Sequence, residues 1–370
     1  MKLQVLQEDL TRGLNIAARF ASPRSQLPIL GNILFNVQKT KLTLCATNLE
    51  TSVSIPIGAS VKEMGNITIP ARVITDIVAN LPRGQINLEA AKENLVVSCE
   101  KYTSTISGTN DADFPSVPTA LGKEKSSFPK ELFTGALSQV IFAASSDETR
   151  PVLTGVLIIF QKNSLVFVAT DGFRLSQKSV VATGVGDTDQ VILPKNTLLE
   201  LLRLANESSS IDIAFPKNES LALFGLGDIV LSSRIIQGEF PNFSKIIPQT
   251  TNIKIDLDKE ELVRSVKLAS VLARDSANAI TFKIDKTGLV ATSQSRQAGK
   301  QDIQIDARVE YLEGNDDVLE IAFNYKFIED FLSSVKGDRV VVKLTSANAP
   351  GVFEDPQDKD YLHLIMPVKL

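Results

Sequence analysis

Three stretches of this chain repeat one order of hydrophobic and polar positions. In each, a β-type run leads through a breaker into apolar residues at helical spacing. They are Ile67–Pro70 into Ala71–Val78, Val191–Pro194 into Lys195–Leu202, and Leu319–Asn324 into Tyr325–Leu332. Ile74, Ile77, Val78 and Leu81 mark one helical face in the first. Phe327, Ile328, Phe331, Leu332 and Val335 mark one in the third. A strand follows each helix, at Gln85–Glu89, Ile211–Phe215 and Arg339–Leu344. A second helix is predicted near the start of each stretch, at Glu8–Phe20, Lys130–Ala144 and Asp258–Leu272. A third shared element is a strand running into a polar turn, at Leu42–Leu49, Leu165–Gly172 and Gly288–Ser293.

The copies are evenly spaced. Thr47 to Thr170, Pro70 to Pro194 and Phe114 to Phe240 are all about 125 residues apart, the size of one ordinary domain. The first two copies also close alike, on Asp113-Phe114-Pro115 and Glu239-Phe240-Pro241. The pattern predicts an α+β protein of three repeated units. Each has two helices packed on one face of antiparallel sheets. Pro118–Ser127 and Pro248–Asn252 read as the linkers, giving domains 1–120, 121–249 and 250–370.

Composition narrows the chemistry. The formal charge is −4, from 39 basic and 43 acidic residues, which is not the footprint of a generic basic nucleic-acid binder. The six predicted helical segments together carry a small net positive charge. Their acids cluster at helix starts (Glu8, Asp9, Glu131, Asp258, Glu260, Glu261), where they favour the helix dipole, and Arg12, Arg19, Arg203, Arg264 and Lys267 follow later. Cys45 and Cys99 sit in apolar runs and read as buried thiols of a reducing compartment. His363 is the only histidine, which argues against a His-based metal site or a Ser-His-Asp triad. The start of the chain does not read as a signal peptide, and no apolar run is long enough to span a bilayer, so a cytoplasmic protein with no membrane partner is expected. Asp171-Gly172 and Asp316-Asp317 are conceivable carboxylate sites, but acids in turns are ordinary, and no phosphate-binding loop, nucleophile elbow or zinc-protease motif is present. Phe224–Asp228 reads as a hairpin turn. No enzyme activity, cofactor or metal is expected.

Local motifs add a family resemblance. Leu27–Asn32, Arg150–Gly155, Ala169–Leu175, Glu239–Phe243 and the terminal Met366–Leu370 are similar, in this order, to signatures of the bacterial DNA polymerase III beta subunit, the sliding clamp. Phe173 stands where that family usually has histidine, and Lys245 and Lys369 stand where arginine is frequent, keeping the charge but losing the planar fork. The resemblance implies a non-catalytic processivity factor: a homodimeric ring of six domains whose helices face duplex DNA, opened by a separate ATP-dependent clamp loader. It implies DNA contacts at Arg24 and Arg72. It implies a groove between the second and third domains for polymerase and other peptides, formed by Leu153, Thr170, Gly172, Phe173, Arg174, Leu175, Pro241, Lys245, Ile246, Met366, Pro367, Val368, Lys369 and Leu370. Leu153, Leu175 and Ile246 read equally as core residues. Ser104, Ile106, Val271 and Leu272 are the dimer-interface candidates, through a sheet continued across the joint. The competing expectation is a scaffold built of repeats that binds peptides and not DNA. The terminal run Leu364–Leu370 is apolar enough to be docked rather than frayed.

Overall fold

The computed structural model describes residues 1–182, 190–217, 219–286, 288–312 and 318–369. Leu370 and the pair Asp316-Asp317 lie outside the described residues. Six α-helices occur among those described: α1 (Gln7–Ala17), α2 (Ala71–Ala79), α3 (Lys130–Ser138), α4 (Lys195–Leu204), α5 (Lys259–Ala273) and α6 (Tyr325–Ser334). They fall where the periodicity puts them. α6 buries Tyr325, Ile328, Phe331 and Leu332, and α2 buries Ala71, Ile74 and Val78. α5 and α6 start on side-chain caps, Asp258 accepting from Glu261 N and Asn324 accepting from Lys326 N. α1 lies close on its sheet because Gly13 has no side chain: a Cβ there would sit 2.6 Å from Ile57 Cδ1.

The helix expected over Lys130–Ala144 is shorter. α3 ends at Ser138, and a separate 3₁₀ turn covers Ile141–Ala143. Val140 and Ile141 are β-branched and weak helix formers. The break frees the Phe142 carbonyl to accept from Arg174 Nη2 at 2.8 Å.

The chain folds as two compact units, Met1–Lys130 with Leu199–Ile235, and Glu131–Leu198 with Ile236–Leu370. In the first unit, an antiparallel five-stranded sheet runs Ser60–Glu63, Lys2–Leu6, Gln85–Ala91, Asn94–Cys99, Tyr102–Ser107. An eight-stranded sheet runs Ser126–Pro129, Ser210–Ala214, Leu221–Leu226, Ile229–Arg234, Thr51–Gly58, Lys41–Thr47, Asn32–Val37, Gly65–Pro70. Its middle is a joint between repeats: Ile229–Arg234 pairs antiparallel with Thr51–Gly58, Val230 opposite Ser54.

The second unit repeats the scheme. A nine-stranded sheet runs Gln190–Pro194, Gly155–Gln161, Ser164–Thr170, Arg174–Val181, Asp358–Ile365, Gly351–Asp355, Arg339–Leu344, Ile253–Asp258, Ala307–Tyr311. The joint here is Arg174–Val181 against Asp358–Ile365, with Arg174 opposite Ile365 and Lys178 opposite Tyr361. A four-stranded sheet runs Gly299–Ile305, Gly288–Ser295, Ala279–Asp285, Leu319–Asn324.

The polar turns repeat at atomic detail. Thr47 Oγ1 donates to Thr51 O and accepts from Leu49 N, while Asn48 Oδ1 accepts from Glu50 N and Thr51 N. Thr170 Oγ1 likewise donates to Arg174 O and accepts from Gly172 N, while Asp171 Oδ1 accepts from Phe173 N and Arg174 N. The third residue is left-handed in both, at φ 76° in Leu49 and 91° in Gly172, a conformation that glycine adopts without strain. The hairpin turn expected over Phe224–Asp228 is confined to Gly227-Asp228, Gly227 at φ 62°; Phe224–Leu226 are strand residues, with Leu226 opposite Ile229. Cys45 and Cys99 are buried free thiols, and burial pushes Cys45 up to about 11. No helix among the described residues is long and apolar enough to cross a membrane.

Candidate functional site

Part of the predicted peptide site lies in the second unit around one apolar cluster that contains Leu175. Its buried members are Leu157, Val166, Val168, Leu175, Ile192, Val352 and Leu364. Val152, Phe240, Phe243 and Ile247 pack against it while staying partly exposed. Phe240 and Phe243 meet edge to face, with ring centroids 6.5 Å apart. Leu175 is fully buried and Leu153 nearly so, which makes them interior residues, whereas Ile246 is 44% exposed on the short turn Phe243–Ile246. Pro241 and Lys245 are exposed on the same segment.

Above the cluster stands the turn Thr170–Arg174. Its cage of side-chain hydrogen bonds fixes the backbone and leaves Phe173 two-thirds exposed. Phe173 is not idle in the backbone sense: its carbonyl accepts from Met366 N at 2.8 Å. That bond begins the docking of the C-terminal segment. A second, from Val368 N to Ala322 O at 2.8 Å, holds it on strand Leu319–Asn324. Met366, Pro367, Val368 and Lys369 line a cleft of about 500 Å³ together with Thr281, Ala322 and Asn348. The segment is docked, as its apolar character predicts.

Arg174, one of the predicted partner-site residues, is held by several partners within the fold. Nε bonds Asp171 at 3.0 Å, Nη1 bonds Asp330 at 2.5 Å, and Nη2 bonds the Phe142 carbonyl. The guanidinium lies 4.4 Å from the Phe327 ring centroid. Its side chain is only 10% exposed. It ties the turn to α6 and to the Ile141–Ala143 turn, a positioning role. Nearby, Lys195 donates to the Ala144 carbonyl, and burial followed by the Arg174 charge lowers its pKa.

The joint between Arg174–Val181 and Asp358–Ile365 is polar inside. Lys178 pairs with Asp358 across the two strands, and Gln139 also donates to Asp358 at 2.9 Å. Burial alone would raise the Asp358 pKa, but these two donors outweigh it and the net shift is downward. His363 Nδ1 lies 2.6 Å from Ser176 Oγ, and the ring stacks on Phe331.

The remaining candidates are placed elsewhere. Arg24 is exposed beside Pro23, in the first unit. Arg72 is also exposed there, with Asp76 3.8 Å away one helical turn on. Ser104 and Ile106 lie on Tyr102–Ser107, the edge strand of the five-stranded sheet, but Ile106 is 5% exposed and belongs to its own core. Val271 is exposed and Leu272 half-buried on α5, which packs along Gly299–Ile305, an edge strand of the four-stranded sheet. Leu268, unremarked in the sequence, is exposed three residues before Val271 on α5. The i, i+3 pair Leu268 and Val271 was the available signal. Phe240, Phe243, Val352 and Leu364 also belong to or pack on this cluster without having been singled out, although Phe240 and Phe243 lie inside a recognised motif.

This architecture of repeated two-helix units joined by antiparallel strands is that of the DNA-clamp proteins. Three family models cover nearly the whole chain: the N-terminal domain of DNA polymerase III beta subunit at residues 1–118, the central domain at 127–242 and the C-terminal domain at 244–369. The chain belongs to the DNA polymerase III beta subunit family, the non-catalytic sliding clamps of replication. It is 32% identical to the beta sliding clamp of Synechocystis, with 100% of both chains covered. Among solved structures it resembles the Thermotoga maritima beta subunit, at 26% identity and TM-score 0.91, covering 100% of this chain and 99% of that one. The Streptococcus pneumoniae beta chain superposes with TM-score 0.94 at 25% identity, both chains being covered completely.

Proposed function

We propose that two copies of this chain close head to tail into a ring around duplex DNA, slide along it, and tether DNA polymerase and other replication proteins. The domains are 1–120, 121–249 and 250–370, and two chains supply six of them.

One observation carries the ring. The last strand of each repeat is Tyr102–Ser107, Ile229–Arg234 or Asp358–Ile365. The third strand between the two α-helices of each repeat is Thr51–Gly58, Arg174–Val181 or Gly299–Ile305. Ile229–Arg234 pairs with Thr51–Gly58, and Asp358–Ile365 pairs with Arg174–Val181. The two strands left over, Tyr102–Ser107 and Gly299–Ile305, are both sheet edges. They are the complementary halves of the same antiparallel joint, so each edge is satisfied by a second copy. Exposed Val271 and Leu268, with half-buried Leu272, flank one edge; Ser104 lies on the other, with Ile106 holding it from inside.

Within such a ring the helices of each domain face the DNA. Arg24 and Arg72 contact phosphate, which positions without reading sequence. The partner groove is Phe173, Gly172 and Thr170 on one side, Pro241, Lys245 and Ile246 on another, and Met366 to Lys369 on a third, over a floor that includes Leu153 and Leu175; Leu370, also assigned to it by the resemblance, lies outside the described residues. Arg174 holds the turn in place. Apolar walls bury the anchors of a bound peptide, and Met366 adapts to different ligands. A separate ATP-dependent loader opens the ring, and the setting is the cytoplasm. The test is retention on a closed circular duplex after loading. The protein stays on the circle and leaves when the circle is cut; loss at equal rates from circular and linear DNA would refute encirclement and favour a peptide-binding scaffold.

A further inference from the structure

The first unit contains a charged cleft of about 540 Å³ between α1 and the C-terminal half of α4. It is lined by three arginines, Arg12, Arg19 and Arg203, and by three glutamates, Glu8, Glu207 and, beside the lining, Glu200 bonded to two of the arginines. The arginines are not free. Arg19 Nε bonds Glu200 Oε2 at 2.7 Å, and Arg203 Nη1 bonds the other oxygen, Glu200 Oε1. Arg12 Nη1 lies 3.4 Å from Glu207 Oε2. Glu200 is the most enclosed of these, its side chain 15% exposed against 35% for Arg19 and 61% for Arg203.

We propose, resting on the encirclement reading above, that Glu200 is an internal counter-ion that competes with DNA phosphate for Arg19 and Arg203 and keeps the grip on the backbone weak. A partly exposed ion pair of this kind contributes little net energy, so an approaching phosphate displaces it readily. An arginine that leaves phosphate is received by Glu200 instead of by water. The energy of the two states is then similar, and the energy along the duplex is smoothed. A sliding protein needs this property; a site-specific one does not. Arg12 and Glu207 form a second, weaker instance. Arg24, for which no ion pair occurs among the described residues, is a contact without this brake.

The experiment is binding of a short duplex by fluorescence anisotropy between about 50 and 200 mM salt. The proteins are wild type, Glu200→Gln, Glu207→Gln and the triple variant Glu200→Gln/Arg19→Gln/Arg203→Gln. Each arginine released to phosphate steepens the log–log salt slope by about 0.9. Glu200→Gln is expected to steepen it by that amount or twice it, and to raise affinity roughly tenfold at the lowest salt. Glu207→Gln steepens it by one such step, and the triple variant returns to the wild-type slope. An unchanged slope in both single variants overturns the proposal. So does a triple variant as steep as Glu200→Gln, because the gain then comes from the lost negative charge rather than from the two arginines. Failure of the encirclement reading is seen separately, as a wild-type protein that does not stay on circular DNA.

Discussion

Acid should loosen the joint between strands Arg174–Val181 and Asp358–Ile365 through one residue. His363 is the chain's only histidine and is fully buried on strand Asp358–Ile365. Its ring stacks on Phe331 at 5.4 Å and lies 5.5 Å from Phe142. Nδ1 faces Ser176 Oγ, and Nε2 has no hydrogen-bond partner among the described residues. Burial, with the Arg174 charge adding to it, pushes the His363 pKa down to about 3. In the unfolded chain it returns to about 6.5. Between the two values the unfolded state holds a proton that the native state rejects. Stability is therefore complete above the unfolded value and falls as pH drops towards the folded one, at about 1.4 kcal/mol per pH unit. From pH 7 to pH 5 this one group costs about 2 kcal/mol. Urea unfolding of wild type and His363→Gln at both pH values isolates it, because carboxylates titrate equally in the two proteins. The wild type should lose about 2 kcal/mol more than the variant. Equal losses would mean that the ring is hydrated or protonated in the native state, and the reasoning would fail.

Three further outcomes follow from the geometry. Phe173→Ser removes an exposed ring that holds no core, so unfolding should change by less than about 0.5 kcal/mol while affinity for a clamp-binding peptide, read by calorimetry, falls about fivefold or more. Val271→Asp places a charge on the exposed face of α5 beside the free edge strand and should weaken self-association about tenfold or more with the fold intact, seen as concentration-dependent mass in analytical ultracentrifugation. Gly155→Ala puts a Cβ 2.6 Å from the Leu193 carbonyl oxygen and 2.8 Å from Ile192 Cγ2, a backbone clash that should cost about 1–3 kcal/mol in urea unfolding.

What the sequence revealed was local. The helices were legible because apolar residues keep one face over three turns, and the repeats because strand, turn and helix recur in one order. The joints were not, since pairing Arg174 with Ile365 spans most of two repeats and no local pattern specifies it. The same distance hid Val352 and Leu364, which read as ordinary strand residues until they pack against Leu175. Arg174 was recognised as part of a site, but its charge alone does not say that Asp330, far along the chain, lies 2.5 Å from it. Ile106 shows the opposite limit. Strand alternation fixes that it shares a face with Ser104, not that this face is its own core. The positive bias of the helices was visible, but not that Glu200 and Glu207 already hold much of it.

The central claim is that two chains complete each other's sheets, and solution mass by light scattering at micromolar concentration tests it most directly. The single chain is 40.2 kDa. A mass near twice that value, persisting on dilution and giving way to one chain at about tenfold or more higher concentration in Val271→Asp, is the predicted result. A mass that stays at one chain at every concentration would contradict ring closure, leaving Tyr102–Ser107 and Gly299–Ile305 as unpaired edges and the protein unable to encircle DNA as a two-chain ring.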